Sequence, residues 1–248
     1  MAMLSGQKKI SAGHESDIMG QCQANLEASQ HKTVVKPITE TMRLPSPAPL
    51  PLGLAFDGST LWMASRETHR LYAINAPTWT VSEEAQAPGG PFGMTMVGDE
   101  LRVIIGEGAK DHDRYIYRFI PGHGFKNDRL ACPDLTGAHL AFDGDTLFLS
   151  QASYRKILAL DGQANIVREI PLDRAPLGMT ISEGCFYLIT GDEEFENLEF
   201  VRLDARGETP QTTTLATIPF DARGLAFDGS RFWTSHRDNN EIVAFTAD

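Results

Sequence analysis

The chain has 248 residues, of which 42% are hydrophobic, and it carries a formal net charge of −11 at pH 7. A chain of this length can bury the core of one sizeable domain, whereas its charge argues against nucleic acid or an anionic membrane as the main partner. The three cysteines, Cys22, Cys132 and Cys185, are too widely spaced for a disulfide framework or a cysteine metal site.

Residues 1–32 precede the repeated part of the sequence. Two adjacent lysines near the start are not followed by the apolar segment of a secretory signal. No run of about 18 apolar residues indicates a membrane span, so we expect a cytoplasmic protein. Ser16 and Asp17 can cap a short helix, and a disordered leader is the alternative. Residues 33–248 are expected to form one domain.

One phrase recurs through the rest of the chain. Gly-Leu-Ala-Phe-Asp-Gly occurs at 53–58 and again at 224–229, and His-Leu-Ala-Phe-Asp-Gly at 139–144 differs by one residue. Weaker copies occur at 93–98 and 178–184. The last glycines of these copies stand at positions 58, 98, 144, 184 and 229, so the steps are 40, 46, 40 and 45 residues. Five units with a period of roughly 40–45 residues indicate the blades of a β-propeller.

The first unit predicts four short strands, which is the content of one blade. These strands are expected at 53–56, 61–65, 71–75 and 80–85. Asp57 and Gly58 form a tight-turn signal between the first two strands.

The fifth unit predicts only three strands, at 225–227, 232–235 and 241–245. An unpaired edge would be left open on that blade. The strand-like residues 33–42 have no repeat of their own, so we expect them to complete the last blade. The predicted fold is therefore all-β, a five-bladed β-propeller of four-stranded blades whose ring is closed by an N-terminal strand.

These units resemble the superfamily of NHL-like, gluconolactonase-like and virginiamycin-B-lyase-like propellers. The shared pattern is Pro-x-Gly-[Leu/Met]-[Ala/Thr]-Phe-Asp-Gly-x-x-Leu-Trp, followed by a polar loop and a segment such as Arg-Leu-Tyr-Ala-Ile at 70–74. The resemblance covers about residues 33–248. It implies that ligands bind on the face of the ring where the first strands begin, but it does not specify an activity, since the matched residues form strands and turns.

Residues that depart from the repeat are the candidates for a functional site. His139 stands where the other units have Gly53, Gly93, Gly178 and Gly224. A glycine there lets the strands crowd around the axis, whereas an imidazole at the channel mouth can serve as an acid, a base or a metal ligand. The alternative is a histidine that only fills space in a tapered ring.

Further departures from the repeat occur one position before the glycine column, at Arg223, and at the ends of the second strands, where His236 lies. Arg223 replaces an apolar residue and can hold a carboxylate or phosphate, or pair with an acidic loop residue. His236 is a second candidate acid or base. The candidate substrate-binding residues are the polar side chains expected on this face: Arg66, Gln151, Tyr154, Arg223 and Arg237.

The loops at 106–113 and 191–197 are the longest and most acidic of the corresponding loops. Converging carboxylates can bind Ca²⁺ or Mg²⁺, and Glu107, Asp192 and Asp238 are the candidate ligands, with Glu107 also a candidate catalytic residue. Solvated acidic loops are the alternative. No organic cofactor is indicated, and no zinc-binding spacing is present.

Two classes of function remain open at this point. The first is a small-molecule enzyme whose site lies at the channel mouth, where metal-assisted lactone hydrolysis or a lyase reaction takes place. The second is a propeller without catalytic activity that binds a ligand or another protein, because no catalytic motif is complete. The sequence does not specify the substrate or the oligomeric state.

Overall fold

A computed structural model of the protein describes residues 35–207 and 209–246, so the predicted leader at 1–32 lies outside the described residues. The described residues form five antiparallel sheets of four strands each. The first two sheets comprise β2 (Pro51–Phe56), β3 (Thr60–Ser65), β4 (Arg70–Asn75) and β5 (Thr80–Gln86), then β6 (Gly90–Val97), β7 (Glu100–Glu107), β8 (Asp113–Ile120) and β9 (Gly124–Ala131). The third and fourth comprise β10 (Leu140–Phe142), β11 (Leu147–Gln151), β12 (Lys156–Leu160) and β13 (Ile166–Pro171), then β14 (Ala175–Ser182), β15 (Cys185–Gly191), β16 (Glu199–Asp204) and β17 (Gln211–Thr217). The fifth comprises β18 (Ala222–Phe227), β19 (Phe232–His236), β20 (Glu241–Thr246) and β1 (Thr39–Pro45).

The ring is closed by β1, which pairs antiparallel with β20, so the predicted closure is confirmed. The closing strand starts later than the 33–42 segment suggested, because the residues before it pair with the fourth blade instead. The Ile38 N–H donates to the Thr217 carbonyl, and the Thr217 N–H donates to the Lys36 carbonyl, both at 2.9 Å. Pro37 between them has no N–H to donate. This segment therefore ties the fourth blade to the fifth.

The apolar core consists of five clusters, and each lies between two neighbouring blades. In the cluster between the first and second blades, Trp62 meets Phe119 edge to face with ring centroids 5.4 Å apart. Both faces of each sheet are thus covered by the adjacent blades, which explains why the inner strands read as nearly continuous apolar runs.

The glycines that begin the repeated phrase let the blades approach one another at the axis, as expected. A Cβ at Gly53 would lie 2.0 Å from the Phe92 carbonyl oxygen, and one at Gly93 would lie 2.4 Å from the Cα of His139. Any side chain at these positions would collide with the backbone of the next blade. Within the described residues, no helix has the length and apolar character needed to span a membrane.

Candidate functional site

A cavity of about 200 Å³ lies on the axis, on the face of the ring where the first strands begin. Its apolar wall includes Leu52, Phe92, Leu177 and Phe195. Its polar lining consists of four side chains that the sequence had singled out: Arg66, His139, Arg223 and Arg237. The fold therefore brings one histidine and three arginines together from three of the five blades or their loops.

His139 is the titratable group at the bottom of this site, and it is only 5% exposed. Its backbone is fixed by Ser150, whose Oγ accepts a hydrogen bond from the His139 N–H at 3.0 Å and whose N–H donates to the His139 carbonyl at 2.9 Å. The missing side chain of Gly93 leaves room for the imidazole, since a Cβ there would lie 3.0 Å from Nδ1. Burial, together with the positive charge of Arg223, lowers the pKa of His139 to about 3. The imidazole is therefore neutral at pH 7.

Arg223 contributes a largely buried guanidinium to the cavity, with 12% of its side chain exposed. Burial lowers its pKa, while the carboxylate of Asp221 acts in the opposite direction and the neighbouring Arg237 adds to the lowering. The ion pair with Asp221 and a 2.8 Å hydrogen bond to the Ala222 carbonyl both use Nη1. The predicted acidic partner is thus present, but Nε and Nη2 make no hydrogen bond to described residues.

Arg66 and Arg237 complete the cationic lining. Arg66 Nη2 lies 3.2 Å from an Asp111 carboxylate oxygen, and its guanidinium carbon lies 4.9 Å from the centroid of the Phe92 ring. Arg237 has no carboxylate of a described residue within ion-pair distance. Within the described part of the chain, the Arg237 guanidinium therefore has no ion-pair partner. It lies in the lining of the axial cavity.

A groove of about 460 Å³ adjoins the cavity and shares Phe92, Ala138, Ala152 and Phe195 with it. Two predicted substrate-binding residues, Gln151 and Tyr154, line this groove rather than the cavity. Gln151 is 2% exposed, and its Nε2 donates to Pro133 O at 3.0 Å and to Thr136 Oγ1 at 2.7 Å.

Arg114 also lines this groove, and sequence reasoning did not single it out. Its guanidinium carbon lies 3.4 Å from the centroid of the Phe92 ring. Burial and the charge of Arg66 lower its pKa to about 10. Arg70 and Lys156 begin the third strands of the first and third blades, and Arg114 is the second residue of the third strand in the second blade. Basic residues thus occur near the start of this strand in several blades, and the residue type of Arg114 alone does not mark a site.

The structure does not bring His236 to the cavity that His139 lines. The His236 ring is 9% exposed and stacks on Phe220 with ring centroids 4.6 Å apart and an interplanar angle of 9°. Its Nδ1 is buried without a hydrogen-bond partner among the described residues. The two histidines therefore do not form an acid–base pair in this arrangement.

The three candidate metal ligands lie in different surroundings. Glu107 accepts hydrogen bonds from the Tyr117 hydroxyl and, at 2.7 Å, from Arg129 Nη1. Asp192 fixes its own loop by accepting hydrogen bonds from the Glu196 N–H at 2.7 Å and Asn197 Nδ2 at 2.6 Å.

Asp238, the third candidate ligand, lines a neighbouring pocket of about 500 Å³ together with Asp221, and this pocket shares Phe195 and Arg223 with the axial cavity. Among residues 35–207 and 209–246, no three His, Cys, Asp or Glu side chains converge as a metal site would require.

Comparison with known proteins gives no matching family model and no matching curated sequence. Solved structures do align with this chain. Regucalcin from Agrobacterium tumefaciens, described as a calcium-binding protein, aligns with a TM-score of 0.56 and 13% identity over 86% of this chain and 96% of that chain. The PQQ-bound aldose sugar dehydrogenase of Streptomyces coelicolor aligns with a TM-score of 0.52 and 13% identity over 84% of this chain and 97% of that chain.

A streptogramin B lyase aligns more loosely, with a TM-score of 0.46 and 10% identity over 84% of this chain. The alignments with regucalcin and the aldose sugar dehydrogenase confirm the predicted resemblance at the level of the fold. Identities this low show the fold alone.

Proposed function

We propose that the axial cavity binds a small organic anion and that the chain is a hydrolase or lyase acting on that anion. The observation that carries the proposal is that Arg66, Arg223 and Arg237 line one cavity together with the neutral, buried His139. The chain as a whole carries a net charge of −11, so this concentration of cations is local. Guanidinium groups recognise carboxylates and phosphates through paired N–H donors.

His139 is the proposed base. Its neutral imidazole can take a proton from a water molecule that attacks a lactone carbonyl, or from the carbon next to the substrate carboxylate. In the lactone reaction, the ring C–O bond then breaks and the imidazolium returns the proton to the leaving ring oxygen. In the lyase form of the reaction, the electron pair of the broken C–H bond forms the C=C bond, and the leaving group departs with its own bonding pair. The arginines stabilise the negative charge that develops on oxygen in either reaction.

The bound anion also makes His139 a better base. A pKa of about 3 is far from the operating pH, which weakens general-base catalysis. Burial lowers this pKa most, and the charge of Arg223 lowers it further. A substrate anion offsets the second effect, so proton transfer becomes more favourable once the substrate is in place.

The divalent cation expected from the acidic loops fits the structure less well. Glu107, Asp192 and Asp238 each have separate surroundings, and the described residues bring no set of three ligands together. The donor set therefore does not match the six to eight oxygen ligands of Ca²⁺ or the octahedron of Mg²⁺, and the chemistry above uses no metal. Regucalcin is described as calcium-binding, so we propose native mass spectrometry with and without chelator as a separate test of a cation here.

A binding protein without catalytic activity is the second candidate. It is favoured because, among the described residues that line the cavity, His139 is the one side chain that can transfer a proton near neutral pH. A site that only binds an anion needs the arginines and no acid–base partner.

Binding and turnover measurements on matched variants separate these candidates. Calorimetry with short organic acids measures affinity, and a panel of lactones and of carboxylates with a β-leaving group measures turnover. We expect Arg223→Gln to weaken anion binding by tenfold or more, whereas Arg70→Gln, which removes an exposed arginine paired with Glu84, leaves it unchanged. His139→Gln should retain binding and lose turnover. Turnover that survives in His139→Gln would contradict the catalytic assignment, and affinity that survives in Arg223→Gln and Arg237→Gln would contradict the site.

A further inference from the structure

We infer that the ligand carries two anionic groups, one held in the axial cavity and the other in the groove that Arg114 lines. This inference rests on the proposed anion-binding function of the cavity. The two spaces adjoin, because Phe92, Ala138, Ala152 and Phe195 line both. A ligand held at the axis can therefore extend outward over the third blade without leaving the protein surface.

Arg114 places a positive charge beside the groove, and the carboxylate of Asp111 acts on it only from beyond ion-pair distance. No carboxylate of a described residue lies within ion-pair distance of it, and its Nε and Nη1 are buried without hydrogen-bond partners in the described part of the chain. Its guanidinium contacts the face of Phe92 instead. A partly buried charge without a direct ion-pair partner is costly, and an anion in the groove would reduce that cost.

Gln151 supplies a second unsatisfied group next to the same groove. Its Nε2 donates to Pro133 O and Thr136 Oγ1, and these acceptors fix which end of the amide faces them. Its Oε1 is consequently left buried without a donor among the described residues. Of the six buried side-chain polar atoms that lack a partner there, three belong to Arg114 and Gln151. Such atoms are rare in native structures unless a ligand or water satisfies them. The nitrogens of Arg114 suit an anion, whereas the Gln151 oxygen needs a donor, such as a water molecule or a ligand hydroxyl.

The surface between the two cationic positions is apolar and aromatic. Phe92 forms the shared wall, Phe195 is 37% exposed and Tyr154 is 58% exposed. An exposed aromatic surface of this kind suits a hydrocarbon or planar ligand body. The ligand class is therefore an elongated dianion: an apolar body with a carboxylate at one end and a carboxylate or phosphate at the other.

The test is a series of linear dicarboxylates and monocarboxylates of equal length, with four to ten carbons, titrated into the full chain at fixed ionic strength. A parallel arm replaces the distal carboxylate with a phosphate monoester. We expect at least one length at which the dianion binds tenfold or more tightly than the matched monoanion. Arg114→Gln should remove this advantage and leave monocarboxylate affinity unchanged, whereas Arg223→Gln should weaken both kinds of ligand.

The possible outcomes distinguish the two proposals. Equal affinities for monoanions and dianions at every length, in both arms, overturn the second anion position, while a loss of affinity in Arg223→Gln still supports the first. If wild-type protein binds no carboxylate and no phosphate, the anion-binding function itself is wrong. The wild-type length series needs no substitution, so it decides the question even if Arg114→Gln does not fold.

Discussion

The indole Nε1 of Trp233 donates a hydrogen bond to the carboxylate of Asp228 at 2.8 Å, and Trp62 and Asp57 form the same pair at 2.9 Å. The other oxygen of Asp228 accepts hydrogen bonds from two backbone N–H groups of its own turn. The repeated Phe-Asp-Gly phrase therefore closes a hairpin and anchors it to a buried tryptophan. The phrase recurs because it stabilises the hairpin of a blade, so it does not indicate which ligand the protein binds.

The role of this aspartate can be tested by comparing two blades. Asp143 accepts the same backbone hydrogen bonds in the third blade, but Phe148 stands where a tryptophan stands in the first and fifth blades. Asp228→Ala also leaves the indole N–H of Trp233, which is 1% exposed, without its partner. We expect Asp228→Ala to lower the free energy of unfolding by about 2–3 kcal/mol and Asp143→Ala to lower it by about 1 kcal/mol, both measured by urea unfolding at pH 7. Equal losses would show that the turn, rather than the tryptophan, determines the effect.

The repeat made most of the fold predictable from the sequence, because each blade depends on local turns and on apolar strands with a regular period. His139 and Arg223 could be found for the same reason: each interrupts a column of otherwise similar residues. Arg114 could not, since basic residues also occur near the start of the third strand in other blades, and its site depends on the neighbouring Phe92. The sequence also did not indicate that Glu107 lies apart from the other candidate carboxylates, because its ion-pair partner Arg129 lies on a different strand.

The glycines at the axis should tolerate no side chain. A Cβ at Gly53 would lie 2.0 Å from the carbonyl oxygen of Phe92, which belongs to the next blade and cannot move independently. Gly162 lies in a turn, and a Cβ there would meet nothing within 4 Å. We expect Gly53→Ala to cost more than about 3 kcal/mol or to prevent folding, and Gly162→Ala to change stability by less than about 0.5 kcal/mol. Thermal unfolding of both variants, read by near-ultraviolet circular dichroism, measures this difference.

The charge of Arg223 should be detectable in the titration of His139. Burial is the main cause of the low pKa, and Arg223 is the second. Arg223→Gln removes the repulsion and should raise the pKa of His139 above about 3 while leaving it below the ordinary value of about 6.5. Arg223→Lys keeps the charge and serves as the control. Heteronuclear NMR of the imidazole nitrogens follows the titration, and an unchanged pKa in Arg223→Gln would show that the two groups do not interact.

The same histidine should make the protein less stable as the pH falls. In the folded state the pKa of His139 is about 3, below the value of about 6.5 expected for the unfolded chain. As the pH falls, the unfolded chain therefore takes up a proton on this histidine before the folded protein does. The contribution of His139 to the free energy of unfolding is thus complete above about pH 6.5 and is lost as the pH falls toward 3. Between pH 6 and 5, wild-type protein should lose up to about 1.4 kcal/mol per pH unit more than His139→Gln. Parallel urea unfolding curves for the two proteins would measure this slope, and identical slopes would mean that His139 binds a proton as readily in the folded protein as in the unfolded chain.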